Sequence, residues 1–322
     1  MRKHKIIPVM FLLLSVFMFV SADLPVSPDN ENIDELWQLF SESPDPETKA
    51  ETLIALGMQR KGNRDITEKI NNYLAELNDL FSSGTAVDYL LVSASITAIM
   101  KLDDSSSYPV IFAVLHTGYP EVIASEARGA LDEINGNLFS FLFGVIEENP
   151  PVEKFSALKA VINSRRLSVS ERGRLASLAL ESALAFDEED VDITAMRYAA
   201  VLELTSLRWK NANDPAIRSY YRAREDYVQN IAPKIRFIEA ITCLGAVGNS
   251  EAAFVLGLQL GLINERTERR GGYDADITFA IVQALGNIGS KTVFDHLIYV
   301  NNLSYPDYIK IAAREAVARI KW

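Results

Sequence analysis

The feature that most constrains this chain is a repeat. Pro233-Lys-Ile-Arg236, Ala240 and Leu244-Gly245-Ala-Val-Gly248 are echoed by Leu285-Gly286-Asn-Ile-Gly289 41 residues later, with Ala280 40 residues after Ala240. Self-similarity at a period near 40 residues is the mark of a helix pair that cannot bury its apolar face alone and must stack on copies of itself. A second echo is more distant. Tyr119-Pro120, Ile123, Ala127, Arg128, Ala130 and Ile134 coincide in register with Tyr305-Pro306, Ile309, Ala313, Arg314, Ala316 and Ile320. Proline in a first helical turn forfeits no hydrogen bond, and an acid beside it suits the helix dipole. These are expected to be equivalent helices of different repeats.

Helical spacing dominates the chain, and strand alternation is scarce. Ile238, Ile241 and Leu244 are expected to line one helix, and Phe254, Leu256, Leu258 and Leu260 the next, with the glycines of Gly245-Ala-Val-Gly248 supplying the turn between them. The second copy reads Ile277, Ile281, Ala284, Leu285, then a break at Gly286-Asn-Ile-Gly289, then Val293, Phe294, Leu297 and Val300. Weaker copies run from Leu53 through Lys61-Gly62-Asn63 to Leu74, and from Val87 through Asp103-Asp-Ser-Ser-Ser107 to Leu115. Helix starts are marked by Ser43-Pro44, Pro150-Pro151, the box Ser168-x-x-Glu171 and Asp214-Pro215. About six or seven antiparallel helix pairs are expected.

These residues resemble the HEAT repeats, and more loosely the armadillo-like solenoids. Pro233-x-Ile235-Arg236-x-x-x-Ala240-x-x-x-Leu244-Gly245-x-x-Gly248 looks like the second helix of a HEAT repeat running into the next unit. The resemblance is good over 233–322, fair over 87–134 and poor over 135–232. Asp274-Ala-Asp-Ile277 lacks the Pro-x-Val-Arg pattern, and neither Ile134 nor Ile320 is followed by glycine, so the ordinary ladder of Arg and Asp along such a stack is in doubt. The resemblance implies an all-α, right-handed α-solenoid that binds proteins or peptides in a groove, and it implies no activity.

Residues 1–22 have the order of a secretory leader: basic Met-Arg-Lys-His-Lys, an apolar run from Ile6 to Val20, and small residues before Asp23. The run holds Pro8 and is short for a bilayer span, so an uncleaved anchor is the lesser expectation. The mature chain, 23–322, is read as one solenoid domain, exported to a bacterial periplasm or beyond. Its charge falls from −11 to −14 on loss of Arg2, Lys3 and Lys5. Acid is concentrated early: residues 23–110 hold 6 basic and 16 acidic residues, whereas 208–322 hold 15 and 12. An acidic body disfavours nucleic acid as a partner, and only the C-terminal third favours an anion. Cys243 is the only cysteine, so no internal disulfide forms.

The helix after Asp214-Pro215 holds the best binding candidate. Ile217, Tyr220, Tyr221, Tyr227, Val228 and Ile231 are expected to share a face with Arg224 in its middle, and Arg218 and Arg222 to lie on the opposite, solvated side. With Arg236 they make 208–236 a basic, aromatic-rich part of an acidic protein. Asn264-Glu-Arg-Thr-Glu-Arg269-Arg270-Gly-Gly-Tyr273 is expected to be a long inserted loop adding Arg269 and Arg270. The candidate binding residues are therefore Arg218, Tyr220, Tyr221, Arg222, Arg224, Tyr227, Arg236, Arg269 and Arg270.

Other motifs carry little. Asp187-Glu-Glu-Asp190 lacks the alternating ligands and glycine of a calcium loop, and Gly286-Asn-Ile-Gly289-Ser-Lys291-Thr292 lacks the spacing of a phosphate loop. His116 and His296 leave little for histidine catalysis or zinc. Leu138-Phe-Ser-Phe141-Leu-Phe143 is apolar all round, which predicts a buried helix. No catalytic or metal motif and no cofactor site is found. The reading is a non-catalytic interaction scaffold with a protein or peptide partner. Two rivals stand beside it: a lyase-like accessory enzyme on a HEAT scaffold, since related repeats occur in bilin lyases, and an envelope protein that holds anionic lipid or polymer on its basic third. Membrane contact otherwise rests on an uncleaved leader.

Overall fold

The structure, a computed structural model, describes residues 31–321 other than 60, 62 and 187–189. The expected leader lies outside them, as does most of the acidic stretch 187–190. Sixteen α-helices and no strand occur among the described residues. The first six are α1 (Glu31–Glu42), α2 (Pro46–Gly57), α3 (Arg64–Ser82), α4 (Tyr89–Leu102), α5 (Tyr108–His116) and α6 (Glu121–Glu133). The middle five are α7 (Leu138–Glu148), α8 (Pro151–Asn163), α9 (Val169–Leu184), α10 (Val191–Leu207) and α11 (Asn213–Val228). The last five are α12 (Lys234–Val247), α13 (Ser250–Glu268), α14 (Ala275–Ile288), α15 (Phe294–Val300) and α16 (Asp307–Ala318).

Each helix packs on its neighbour in the chain and on helices two places away. The even helices meet as α2–α4–α6 and α8–α10–α12–α14–α16, and the odd ones as α3–α5 and α7–α9–α11–α13–α15. Sixteen helices make eight consecutive pairs, more than the spacing of the sequence implies. The surplus lies in the middle, where alternate helices start at Leu138, Val169 and Asn213, so the period changes from 31 to 44 residues and a repeat search loses register. Most predicted starts hold: Asp45, one residue past Ser43-Pro44, caps α2, Pro150 precedes α8, and both halves of the Ser168–Glu171 capping box are formed at α9.

The two ends of the chain are copies. With a constant offset of 186 residues, α3, α4, α5 and α6 fall on α13, α14, α15 and α16, and both α3 and α13 have 19 residues while both α4 and α14 have 14. Asp88 and Asp274 cap the equivalent helices α4 and α14. Asp103 and Gly289 end them in the left-handed region, at φ 59° and 67°. Long-range polar contacts repeat as well. Asn78 donates to the Val110 carbonyl and Asn264 to the His296 carbonyl. Tyr119 donates to the Leu77 carbonyl, and Tyr305 to the side chain of Asn264. The Tyr-Pro echo therefore marks two tyrosines that are buried, at 6% and 4% exposure, and that tie a helix start to the preceding repeat.

The repeated Leu-Gly-x-x-Gly motif works differently from expectation. Gly245 is not in a turn: α12 runs on to Val247. A Cβ on Gly245 would lie 2.7 Å from the Ala284 Cα, one on Gly286 2.9 Å from the Ala316 Cβ, and one on Gly57 2.5 Å from the Ala98 Cα. The first glycine lets consecutive even helices approach backbone to side chain, and the second ends the helix. The apolar core is continuous along the chain. Each fully buried leucine or isoleucine in it contributes about 1.5–3 kcal/mol of transfer free energy.

Candidate functional site

Helix α11 does not present the expected face. Its buried residues are Asn213, Pro215, Ala216, Ile217, Ser219, Tyr220, Ala223 and Asp226. Tyr221, Arg224, Val228 and Ile231 are exposed, with Tyr221 at 50% and Val228 at 66%. Arg224 therefore stands in solvent, not amid a buried stripe. The cause is double coverage: α12 covers one flank of α11 and α9 another, so the small and polar residues Ser219, Ala223 and Asp226 are enclosed. Tyr220 is core, and burial pushes its phenol up from the ordinary value.

The second candidate segment is also recast. Helix α13 extends to Glu268, so Asn264 and Thr267 are buried helical residues and only Arg269–Asp274 form the connection. That connection equals its counterpart between α3 and α4 in length, so nothing is inserted there. Arg270 has φ 61° where the equivalent Gly84 has φ 83°. A Cβ on Gly271 would meet the Arg266 Cγ at 2.5 Å, so this glycine seats the stem of Arg266.

What the sequence treats as two separate segments the fold joins. Arg224, Tyr227 and Val228 of α11, Gln259, Ile263 and Arg266 of α13, and Tyr273 in the connection line a groove of about 440 Å³, floored by Phe237 and Ile277. A second depression of about 350 Å³ continues from it, sharing Arg224, Gln259, Ile263 and Arg266 and adding Leu262 and Arg269. Tyr227 stacks on Phe237 with ring centroids 5.7 Å apart, and Tyr273 meets Tyr305 edge-on at 4.8 Å. The rings are thus held by core residues while their edges face the groove.

Charges around the groove divide into engaged and unengaged. Lys234 pairs with Asp276 and Asp274, and those contacts, Asp276 first, hold its ammonium above the ordinary value. Arg236 pairs with Glu239 at 2.9 Å and lies over Tyr198, 4.4 Å from the ring centroid. Arg269 pairs with Glu265 at 2.6 Å. Arg224 and Arg266 form no ion pair among the described residues. Beyond Leu262 the outer face of α13 carries Leu258 and Phe254, each 50–58% exposed and four residues apart. Phe254 and Leu258 thus lie outside the core that Leu256 and Leu260 enter.

Arg218 and Arg222 sit elsewhere, in a separate pocket with Arg197 of α10. Arg197, not Arg224, is the buried arginine of this region, at 8% exposure. Its Nη2 donates to Asp226 at 2.6 Å, and Asp226 also accepts from Arg222 Nε at 3.1 Å. The signal was present in the sequence: Arg197 falls four residues after Ile193 and four before Val201, inside an apolar helical face.

The remaining singled-out residues are structural. Cys243 is buried, and burial pushes its thiol up to about 11. His116 is half-buried beside Phe112, and its imidazole is held below the ordinary value by desolvation. In α7, Leu138, Leu142, Val145 and Ile146 are buried, while Phe139, Phe141 and Phe143 are only half-buried. Asp190 caps α10 by accepting from the Ile193 N–H. Among the described residues no group of three or more His, Cys, Asp or Glu side chains could hold a metal ion. None of their helices is long and apolar enough to cross a membrane. Protein-family models and curated proteins, compared with the chain, give no match.

Proposed function

We propose that this chain is an exported, non-catalytic scaffold, wound as a right-handed HEAT-like α-solenoid, that captures a protein partner in the groove of α11, α13 and α14. The observation that carries this reading is the difference between the two copies. Tyr73, the counterpart of Gln259, meets Phe40 of α1 edge-on at 4.8 Å, and Leu80 stands where Arg266 stands. Ser83 and Gly84 replace Arg269 and Arg270. The backbone is the same in both: Gly84 and Arg270 each donate to the carbonyl three residues back at 3.0 Å. The helical frame therefore does not need Arg266, Arg269 or Arg270, which its first version lacks.

The lining selects an acidic segment with apolar or aromatic side chains. Arg224 and Arg266, which have no ion pair among the described residues, attract carboxylates, Tyr227, Phe237 and Tyr273 offer ring surface, and the Phe254–Leu258–Leu262 stripe extends the apolar contact along a 19-residue helix. The stacking of helices on sequence neighbours, with polar links about one repeat apart, supports the solenoid reading.

A photo-cross-linking residue placed at Gln259, compared with one at Tyr73, tests the proposal in cells and in envelope extracts. A protein adduct is expected at 259, absent at 73, and lost when Arg224 and Arg266 are both changed to glutamate. Adducts of equal yield at both positions, or an adduct indifferent to charge reversal, refute it. Sedimentation with anionic phospholipid vesicles addresses the rival: binding to vesicles that Arg224→Glu/Arg266→Glu abolishes, without a protein adduct, moves the groove to a lipid surface.

A further inference from the structure

We propose that the pocket between α9, α10 and α11 is a second binding site, specific for a small carboxylate with a short apolar body, and independent of the groove. Its cavity is about 170 Å³, close to that of an engineered cavity that accepts benzene. One wall is cationic, formed by Arg197, Arg218 and Arg222. The other is apolar, formed by Phe186 and Ile193, with the Thr194 side chain between them.

The charge on the cationic wall is incompletely matched. Arg197 and Arg222 share the single carboxylate of Asp226. Arg218 lies one turn before Arg222 on α11 and has no ion pair among the described residues, so like charges face each other at i, i+4. Asp190, the nearest acid preceding α10, is already engaged by the Ile193 N–H. Among the described residues, three guanidiniums thus meet one carboxylate.

The donors tell the same story. Arg197 is more than nine-tenths buried, yet only its Nη2 has acceptors, Asp226 and, at 3.4 Å, the Tyr198 hydroxyl. Its Nε is buried with no hydrogen-bond partner, and Nη1 makes no hydrogen bond. A buried donor without an acceptor is costly, and a guanidinium presents its donors in a planar fork that a carboxylate matches with two oxygens. A carboxylate on that wall meets the accessible guanidiniums of Arg218 and Arg222 and supplies the missing charge beside Arg197. Inorganic phosphate satisfies the arginines but leaves Phe186 and Ile193 facing a strongly hydrated ion, which is why the assignment is to an organic acid.

The test is calorimetric titration of the full mature chain at physiological salt with benzoate, butyrate, N-acetylphenylalanine and inorganic phosphate. The expected result is binding of one molecule of at least one organic acid per chain, with phosphate at least tenfold weaker. Arg218→Gln is expected to weaken binding about tenfold or more, because it removes a charge-assisted contact. Arg218 is exposed and has no ion pair among the described residues, so this variant loses no stabilising contact and melts no lower than the wild type. Arg266→Gln, in the groove, leaves acid binding unchanged, so the two sites fail or stand separately. Preference for N-acetylphenylalanine over benzoate assigns the pocket to the C-terminal carboxylate of a peptide; the reverse assigns it to a free acid. No binding, phosphate as tight as every acid, or affinity equal in Arg218→Gln overturns the proposal. So does binding that emerges only when Asp187, Glu188 and Glu189 are changed to serine.

Discussion

Replacing Gly245 by alanine tests whether these helices touch as closely as the first glycine of each motif implies. Alanine in a helix interior is intrinsically better than glycine by about 0.8–1.0 kcal/mol. At Gly245 the new Cβ would lie 2.7 Å from the Ala284 Cα and 2.8 Å from its Cβ, whereas carbon atoms settle about 3.5–4.0 Å apart. The obstacle is partly backbone, so no side-chain rotation relieves it. α12 and α14 must separate by about 1 Å, loosening an interface that holds Ile241, Leu244, Ile281 and Leu285, all fully buried. Overpacking of this kind costs about 1–3 kcal/mol, and contact with backbone places it at the upper end. After the propensity gain, a net loss of about 1–2 kcal/mol is expected. Gly129 is the control: it lies in α6, and nothing stands within 4 Å of its missing Cβ, so Gly129→Ala should stabilise by up to about 1 kcal/mol. Urea denaturation followed by circular dichroism reads the difference. Because neighbour-only stacks need not unfold all at once, amide exchange in α12 and α14 supplies the local measure. If Gly245→Ala is as stable as Gly129→Ala, with exchange in α12 and α14 unchanged, the close-approach account is wrong.

Two further outcomes follow from single residues. Asp103 accepts from the Asn135 backbone N–H at 2.7 Å and from Lys61 at 3.0 Å; the Asn135 contact first, then Lys61, holds its carboxyl below the ordinary value. A depressed acid adds stability above its unfolded value of about 3.9 that is lost as pH falls through the folded one. Melting temperatures measured across the acid range should therefore fall more steeply for the wild type than for Asp103→Asn, and parallel curves refute the link. Arg270→Gly removes a side chain from a left-handed position that its counterpart fills with glycine, and it should stabilise the chain by about 0.5–1 kcal/mol in the same denaturation assay. A loss of stability shows that the Arg270 side chain makes a stabilising contact.

The helical class, several caps and the equivalence of Tyr119 with Tyr305 were legible because each rests on local spacing. The burial of α11 was not, because a helix covered on two flanks buries residues such as Ser219 and Asp226 that no apolar stripe includes. Nor was the role of Gly245, since a glycine at a turn and one at a helix crossing look alike until the facing Ala284 is known. The segments 208–236 and 264–273 were each singled out for their arginines. Their convergence on one groove was hidden by the intervening α12, which brings α11 and α13 side by side in space.

The duplication separates what holds the fold from what was added to it. Residues shared by both copies cap helices or tie one repeat to the next: Asn78 and Asn264, and Asp88 and Asp274, do so in the same way, and Tyr119 and Tyr305 through neighbouring acceptors. Of the candidate binding residues only Arg269 and Arg270 fall within a copy, and their counterparts are Ser83 and Gly84. At the first copy Tyr73 meets Phe40 of α1, Lys49 and Lys69 lie over Phe40 and Trp37 at 5.4 and 5.7 Å, and Lys69 also pairs with Asp65, so cations there are engaged locally. In the second copy the same helical frame carries Gln259 and Arg266, and Arg266 has no ion pair among the described residues. The middle helices then contribute the rest: α11 gives Arg224 and Tyr227 to the groove on one side and Arg218 and Arg222 to the carboxylate pocket on the other. Both proposed sites thus lie where the irregular middle meets the second copy, which is also where acid gives way to base along the sequence.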